Sequence, residues 1–574
     1  MSAAPTLRRR PQAEPEGAWP ERIPPLLRRL YAARGAPRHG QALPPLRALP
    51  PPDMAGIDAA TALLDQAIAA DRHVVVVGDF DCDGATACAV GVRGLRLLGA
   101  RRVTPAVADR AVHGYGLSPG LVEDLAPLRP DLLLTVDHGI ACHAGIAAAR
   151  ARGWQVLVTD HHLPAATLPD ADAIVNPNLP GCRFPSKALA GVGVVFYLLL
   201  ALRARQRRAG RYPAGDEPDL AVLLDLVAVG TIADLVPLDA CNRALVAAGL
   251  RRLRAGRGCA GLVALAEAGG RQPALLTAAD VGFALAPRLN AAGRLQDMAL
   301  GIECLLSDDP VQARAIAASL DAVNRERRAL QQRMTEAAEA ALARVVLEGP
   351  PPAAACLFDP DWHPGVVGLV ASRIKDRLHR PVVAFAPAEP GGAMLRGSAR
   401  SIPGFHVRDA LAAVAAARPG LVERFGGHAM AAGLSLPLES LPDFAAAFQA
   451  HAQAMLGPEQ LRAELWTDGE LAPQEFDHAV ACALRDGGPW GQGFPEPVFD
   501  GEFEVARWRR VAERHLRLDL RIAGRIVPAI EFGGWNGTPP PARVRIAYRL
   551  EPDDYRGGDA VQLVVVHRQA PGAP

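Results

Sequence analysis

At 574 residues the chain is too long for one compact core, since single cores rarely grow past about 250 to 300 residues, so three or four domains are expected. Half of the residues are hydrophobic and 21% are charged, the balance of an ordinary globular protein, which excludes the disordered and collagen-like classes. Lys plus Arg (62) nearly cancels Asp plus Glu (61), so any contact with a polyanion has to come from local clusters and not from the overall charge.

The nine cysteines are scattered without a Cys-x-x-Cys pair, which argues against a zinc ribbon or a disulfide framework and fits a reducing cytoplasm. Residues 1–10 are basic but run into Pro and Glu, so no secretory signal is expected, and no uninterrupted apolar run reaches roughly 18 residues. A soluble, cytoplasmic monomer that avoids membranes is the expectation.

Residues 1–52 are rich in Pro, Arg and Ala, a composition that predicts a lead-in segment with little regular structure beyond a short helix over 23–33. From His73 the pattern changes to short β-branched runs alternating with Ala- and Leu-rich stretches. Residues 74–77, 132–136 and 156–159 read as buried parallel strands with helices such as 86–98 between them, an α/β doubly wound domain over 53–300. Ile316, Leu320, Val323, Leu330, Met334, Ala341 and Val345 recur at helical spacing and predict one long amphipathic helix over 311–347, within a connecting segment 301–349. Asp308, Asp309 and Pro310 supply its start signal and Gly349-Pro350-Pro351 its stop. Such a helix spans on the order of 55 Å. It would connect two lobes across a groove, because a core position would require burying Arg325, Arg327, Arg328 and Arg333. Strands near 353–358 and 381–385 and the Gly-rich stretch 425–433 predict a second α/β domain over 350–456, and the alternation in 516–522 and 544–548 predicts a small β-barrel within 457–574.

The chemistry-bearing residues fall at the strand ends. Asp79, Asp81 and Asp83 follow the first predicted strand, Asp137 follows the second, and Asp160-His161-His162 follow the third. In open α/β sheets ligands bind at the carboxyl edge, where these residues converge. Taken alone, the aspartate run could also be an Asx-rich turn or a calcium-type loop. Four or five carboxylates gathered in a partly buried cleft require compensating cations, and two divalent metals supply about four positive charges. Asp oxygen and His nitrogen donors without thiolates favour manganese, with magnesium second, over structural zinc. Asp234 follows an apolar helix and is either a further ligand or a helix-cap residue. Two such metals suit in-line phosphoryl displacement, whereas the nucleophile elbow, P-loop and dinucleotide fingerprint are missing.

The ordered segments 77–84 (VGDFDCDG), 136–140 (VDHGI), 160–162 (DHH) and 233–234 (AD) resemble the motifs of the DHH phosphoesterase superfamily. Residues 110–116, 287–294 (PRLNAAGR) and 396–401 (RGSARS) resemble its branch of single-strand-specific exonucleases, 426–428 (GGH) resembles the signature of the DHH-associated domain and 490–497 (WGQGFPEP) the entry to the C-terminal OB-type domain, so the resemblance covers nearly all of 70–530. It implies a DHH catalytic domain, a DHH-associated domain and a C-terminal OB-type barrel. Carried over, it makes Asp79, Asp81, Asp83, Asp137, His161 and Asp234 the metal set, with Asp81, Asp137 and Asp160 near bridging and orienting positions. It makes Asp160, His161, His162 and Asp137 the catalytic group, with His162 close to the scissile phosphate. Arg110, Arg294, Ser398 and Arg400 would lie along the DNA strand or its terminal phosphate, with His428 facing the site from the second domain; the alternative is that the arginines belong to a solvated surface. The sequence departs from the common pattern at Val77, read as strand core, at Asp109, whose charge weakens the case for Arg110, and at His138, which is given no ligand role.

Trp508 among Arg507, Arg509, Arg510, Arg514, His515 and Arg517 is either a base-stacking patch or simple barrel packing. The resemblance implies a Mn²⁺- or Mg²⁺-dependent, two-ion exonuclease that releases mononucleotides from single-stranded DNA, 5′ to 3′, in recombination and repair, with a helicase or a single-strand-binding protein as partner. A DHH-type phosphatase for oligonucleotides or small phosphoesters, or a non-catalytic replication scaffold, are the alternatives; chain length argues against the first and the intact ligand set against the second.

Overall fold

The computed structural model describes residues 5–110, 112–213, 215–346, 352–553 and 556–571, with side chains of the long helix as far as residue 340. The chain divides into two compact units, one combining Arg9–Asn324 with Thr467–Ala573 and the other built on Arg325–Trp466.

The first unit is organised by a five-stranded sheet in the order Val103–Val107, Val74–Gly78, Leu132–Val136, Gln155–Thr159, Ala173–Val175. Every neighbouring pair is parallel. Both faces are covered, and the two-residue period of the strands divides their side chains between two cores. Val74, Val76, Leu132, Leu134 and Leu157 join the main core with helices Cys82–Leu97 and Gly191–Arg208. Val75, Val77, Leu133, Val156 and Val158 pack on Leu121, Leu125 and Ile146 on the other side. This is the doubly wound arrangement expected.

The helix expected over 86–98 begins earlier, at Cys82. The cause is local: Asp81 is its N-cap and accepts a hydrogen bond from Gly84 N at 3.0 Å, so Asp83, the last aspartate of the run, is helical rather than loop.

Residues 499–569 form a closed barrel in the order Phe499–Val511, His515–Ile522, Arg525–Glu531, Val561–Gln569, Arg543–Pro552. Leu516, Leu518 and Leu520 point inward and are fully buried. The N-terminal segment is packed more thoroughly than its composition implies. Leu26, Leu27, Leu30 and Tyr31 of helix Pro25–Ala32 are buried in the main core. Tyr31 stacks on Trp19, Trp490 and Phe494 and donates to Gly487 O at 2.6 Å. Arg34 forms a two-bond ion pair with Asp468, each bond 2.8 Å, and both side chains are buried.

The second unit holds a mixed sheet in the order Arg424–Gly427, Ala431–Pro437, Met394–Arg400, Val382–Pro387, Ala355–Phe358, with only the last pair parallel. The Gly-rich stretch is the hairpin between its first two strands. The long helix runs Pro310–Val346, its start held by Asp309 Oδ1 accepting from Val311 N at 2.9 Å, and the expected stop at 349–351 lies outside the described residues. Arg325, Arg328 and Arg333 are exposed, but Arg327 is buried, contrary to expectation. It donates to Gln331 Oε1 one turn on, at 2.8 Å, so its charge does not enter the interior without a polar partner.

Candidate metal centre

The three central strands, adjacent in the sheet, end on the residues that carry the acidic groups: Gly78 leads into Asp79, Val136 into Asp137 and Thr159 into Asp160. Asp234 caps the C-terminus of helix Leu224–Ala233, so it is at once a helix cap and a member of the cluster. Three sets of donor atoms lie within 4.8 Å of one another: Asp79, Asp81 and Asp137; Asp83, His161 and Asp234; and Asp137, His161 and His162. Asp137 and His161 are each shared between sets. His161 Nε2 lies 3.2 Å from Asp137 Oδ1 and 3.5 Å from Asp234 Oδ2.

The backbone is shaped around these groups. Asp83 is fixed by the start of helix Gly191–Arg208, where Gly191 N donates to its Oδ2 at 2.7 Å and Val192 N to its Oδ1 at 3.0 Å. The positive end of that helix suits an anion. Glycine is required there, because a Cβ on residue 191 would stand 2.4 Å from Asp137 Oδ1. Asp137 itself adopts φ 65°, a left-handed conformation that costs a non-glycine residue on the order of 1–3 kcal/mol. Such strain is found where a side chain has to be aimed.

Asp160 has a different role. Its Oδ2 accepts from Ile140 N at 2.9 Å, and its Oδ1 accepts from His161 N at 2.7 Å and His162 N at 3.0 Å and pairs with His162 Nδ1 at 2.7 Å. It fixes the His162 ring and the backbone N–H groups of both histidines. Burial pushes its carboxyl upward, but the bond and charge of His162 and the backbone donors outweigh that and bring it down to about 2. On His162 burial disfavours the charged ring, yet the bond to Asp160 raises its proton affinity overall.

The remaining carboxyls move the other way. Burial, reinforced by each other's negative charge, raises Asp79, Asp137 and Asp234 well above the usual range and brings Asp83 to about 7. Asp79 Oδ1, Asp137 Oδ1 and Asp234 Oδ2 are buried without a hydrogen-bond partner among the described residues. Orphaned, mutually repelling carboxylate oxygens beside an imidazole are the donor set of a hard divalent cation, so the residues fit such an ion. His138 belongs to none of the three donor sets: it is fully buried, its Nε2 is bonded to Val77 O at 3.0 Å, and burial pushes it down to about 4.

Arg110 and Arg294 belong to the same unit. Arg110 sits over the Phe80 ring at 5.0 Å, and Phe80 meets Tyr115 edge-on. Arg294 lies near the end of helix Ala286–Leu295. Ser398, Arg400 and His428 are in the other unit, the first two on strand Met394–Arg400 near Gly368 and the last at the exposed hairpin turn, where its N donates to Ala431 O at 2.8 Å. Sequence reasoning missed Asn176 and Asn178, which hold the carbonyls of His162 and His161 at 2.8 and 2.6 Å, and Asn290, which accepts from Cys82 N at 2.8 Å. Their signal is faint: short polar residues following a strand, or mid-helix.

The sheet edge, its acid and histidine cluster and the two further domains define a metal-dependent phosphoesterase of the DHH type. The model of the DHH family, N-terminal domain, matches residues 73–231, that of the DHHA1 domain 350–454 and that of the RecJ OB domain 467–567. The single-stranded-DNA-specific exonuclease RecJ of Dickeya dadantii is 48% identical over 99% of both chains, and that of Escherichia coli is 46% identical over 97% of this chain and 98% of its own. The crystal structure of Thermus thermophilus RecJ in complex with Mn²⁺ matches with a TM-score of 0.80 at 34% identity, over 99% of this chain and 80% of that one. The Mg²⁺ complex from the same organism matches with a TM-score of 0.75 at 33% identity, over 99% of this chain and 79% of that one. The chain belongs to the RecJ family.

Proposed function

We propose that this chain is an exonuclease that uses two divalent ions, Mn²⁺ or Mg²⁺, to release mononucleotides from single-stranded DNA in the 5′-to-3′ direction. The observation that carries this reading is the pair of donor sets, Asp79 and Asp81 on one side and Asp83 and Asp234 on the other, joined through Asp137 and His161. When bound, the ions supply positive charge for an in-line displacement at phosphorus and lower the pKa of the attacking water. The protein's own groups do the rest. Asp79, Asp81, Asp83, Asp137, His161 and Asp234 would hold the ions, and Asp160 fixes the His162 ring and raises its affinity for a proton beside the scissile phosphate.

Arg110 and Arg294 hold strand phosphates, and Ser398, Arg400 and His428 contribute from the second unit. Direction, the contribution of those three residues, a role in recombination and repair, and a helicase or single-strand-binding partner rest on the resemblance. Nine free cysteines support a cytoplasmic location. No helix among the described residues is long and apolar enough to cross a membrane.

The test uses one sequence as single strand, duplex and dinucleotide, labelled at either end, with Mn²⁺ or with chelator, for the wild type and Asp160→Ala. Digestion of the single strand from its 5′ end, requiring Mn²⁺ and reduced roughly 10²- to 10⁴-fold by Asp160→Ala, is the expected result. Activity confined to dinucleotides, or surviving chelation, would overturn it.

A further inference from the structure

An α-helix begins with backbone N–H groups that have no partner inside the helix. In helix Cys82–Leu97, which starts directly after Asp81 and carries Asp83 in its first turn, the Gly84 N–H is taken by Asp81 Oδ1 and the Cys82 N–H by Asn290 Oδ1, a partner 208 residues away in the chain. Three residues beyond Asn290, a Cβ built on Gly293 would lie 1.8 Å from Phe80 O. Helix Ala286–Leu295 therefore bears on the backbone on both sides of Asp81. Near its other end Arg288, 6% exposed, donates to Ala268 O at 3.2 Å and pairs with Asp321 of the long helix at 2.7 Å. One short helix thus runs from the long helix to the metal loop, with Arg288 and Asn290 committed to those contacts.

We propose that helix Ala286–Leu295 is a strut that holds Asp81 and Asp83 at ion-binding spacing, with Asn290 as its positioning residue and Arg288 as its foot. Asn290 acts through the Cys82 N–H and belongs to none of the three donor sets. Arg294 follows Asn290 by one turn, so a strand phosphate gripped there is registered to the metal loop by the same rigid piece. The inference rests on the metal reading above.

The experiment titrates Mn²⁺ into the metal-free full-length chain without DNA, by calorimetry, and separately measures kcat and KM on single-stranded DNA. Asn290→Ala is expected to weaken Mn²⁺ binding roughly 10- to 100-fold, the usual effect of losing a group that orients a ligand, with KM for DNA unchanged and kcat recovered at high Mn²⁺. Asn290→Asp, which keeps an acceptor of the same reach, restores the affinity. Arg294→Ala gives the opposite pattern, a higher KM and unchanged Mn²⁺ binding. Unchanged affinity in Asn290→Ala, or equal losses in Asn290→Ala and Asn290→Asp, overturns the strut. If Asn290→Ala does not fold, Asn290→Ser, too short to reach Cys82, is held to the same criterion. A wild-type chain that binds no Mn²⁺ overturns instead the metal reading.

Discussion

Asp160 spends both carboxylate oxygens on protein donors, whereas Asp79, Asp137 and Asp234 each keep an unbonded buried oxygen. The carboxylates that look alike in the sequence thus divide into one that orients and several suited to ligation. Asp160→Asn preserves shape but removes the charge that raises the proton affinity of His162. It should lower kcat by roughly 10²- to 10⁴-fold while Mn²⁺ affinity, read by calorimetry, stays near that of the wild type; a lost Mn²⁺ affinity with normal kcat at saturation would contradict the orienting role. Asp83 makes a prediction about pH. Its carboxyl is raised from 3.8 to about 7 in the metal-free fold, so the native state binds a proton there that the unfolded chain releases near pH 4. Metal-free protein should therefore lose stability as pH rises from about 4 to 7, and Mn²⁺, which requires the ionised carboxylate, should reverse the trend. Denaturant unfolding at both ends of that window, with chelator and with Mn²⁺, checks the sign. The acidic residues were legible because each follows an apolar run at a strand end. Asn176 and Asn178 were not, because they serve backbone carbonyls and carry no chemistry of their own, and Asn290, though inside the segment 287–294, gives no sign that it serves the Cys82 N–H 208 residues away.

Helix Gly191–Arg208 shows how an element can be a ligand-positioning device without contributing a ligand. Its first two N–H groups hold Asp83, and its first residue leaves room only for hydrogen where Asp137 passes. Gly191→Ala should cost about 1–3 kcal/mol in denaturant unfolding, the usual penalty of overpacking, and weaken Mn²⁺ binding with it. A variant with wild-type Mn²⁺ affinity would show that the loop around Asp137 yields freely. Strands 74–78 and 132–136 were plain in the sequence because both of their faces are apolar, and the long helix because its period is unbroken. The start of helix Cys82–Leu97 was hidden for the opposite reason: its first turn is made of aspartate, cysteine and glycine, whose propensities are poor and whose helical state is secured by Asp81 and Asn290. Arg327 was misplaced because periodicity locates a helix face but says nothing of a polar partner such as Gln331.

At the scale of the molecule, the barrel carries an outward aromatic surface. Trp508 is 40% exposed and stacks on Trp535 with centroids 5.6 Å apart, and Arg510 lies 5.9 Å from the Trp535 ring, so Trp508 is not simply barrel packing. Base stacking on such a platform is worth about 1–3 kcal/mol, so Trp508→Ala should weaken binding of long single strands by about 5- to 150-fold while leaving hydrolysis of dinucleotides unchanged. Equal loss on both substrates would place Trp508 outside the strand path. The N-terminal segment was the least legible part. Its Pro- and Arg-rich composition gives no hint that Tyr31, Arg9 and Arg34 have partners at Gly487, Asp500 and Asp468.

Those partners have a consequence for how the protein is made. The unit that holds the metal ligands is completed by residues 467–573, which supply the ring stack around Tyr31 and the carboxylates for Arg9 and Arg34. A ribosome releases Asp79 to Asp234 long before it releases Gly487 or Asp500. A chain interrupted in between leaves the Tyr31 ring without Trp490 and Phe494, so a fragment carrying every proposed metal ligand is expected to be cleared by proteolysis rather than persist as an unsupervised nuclease.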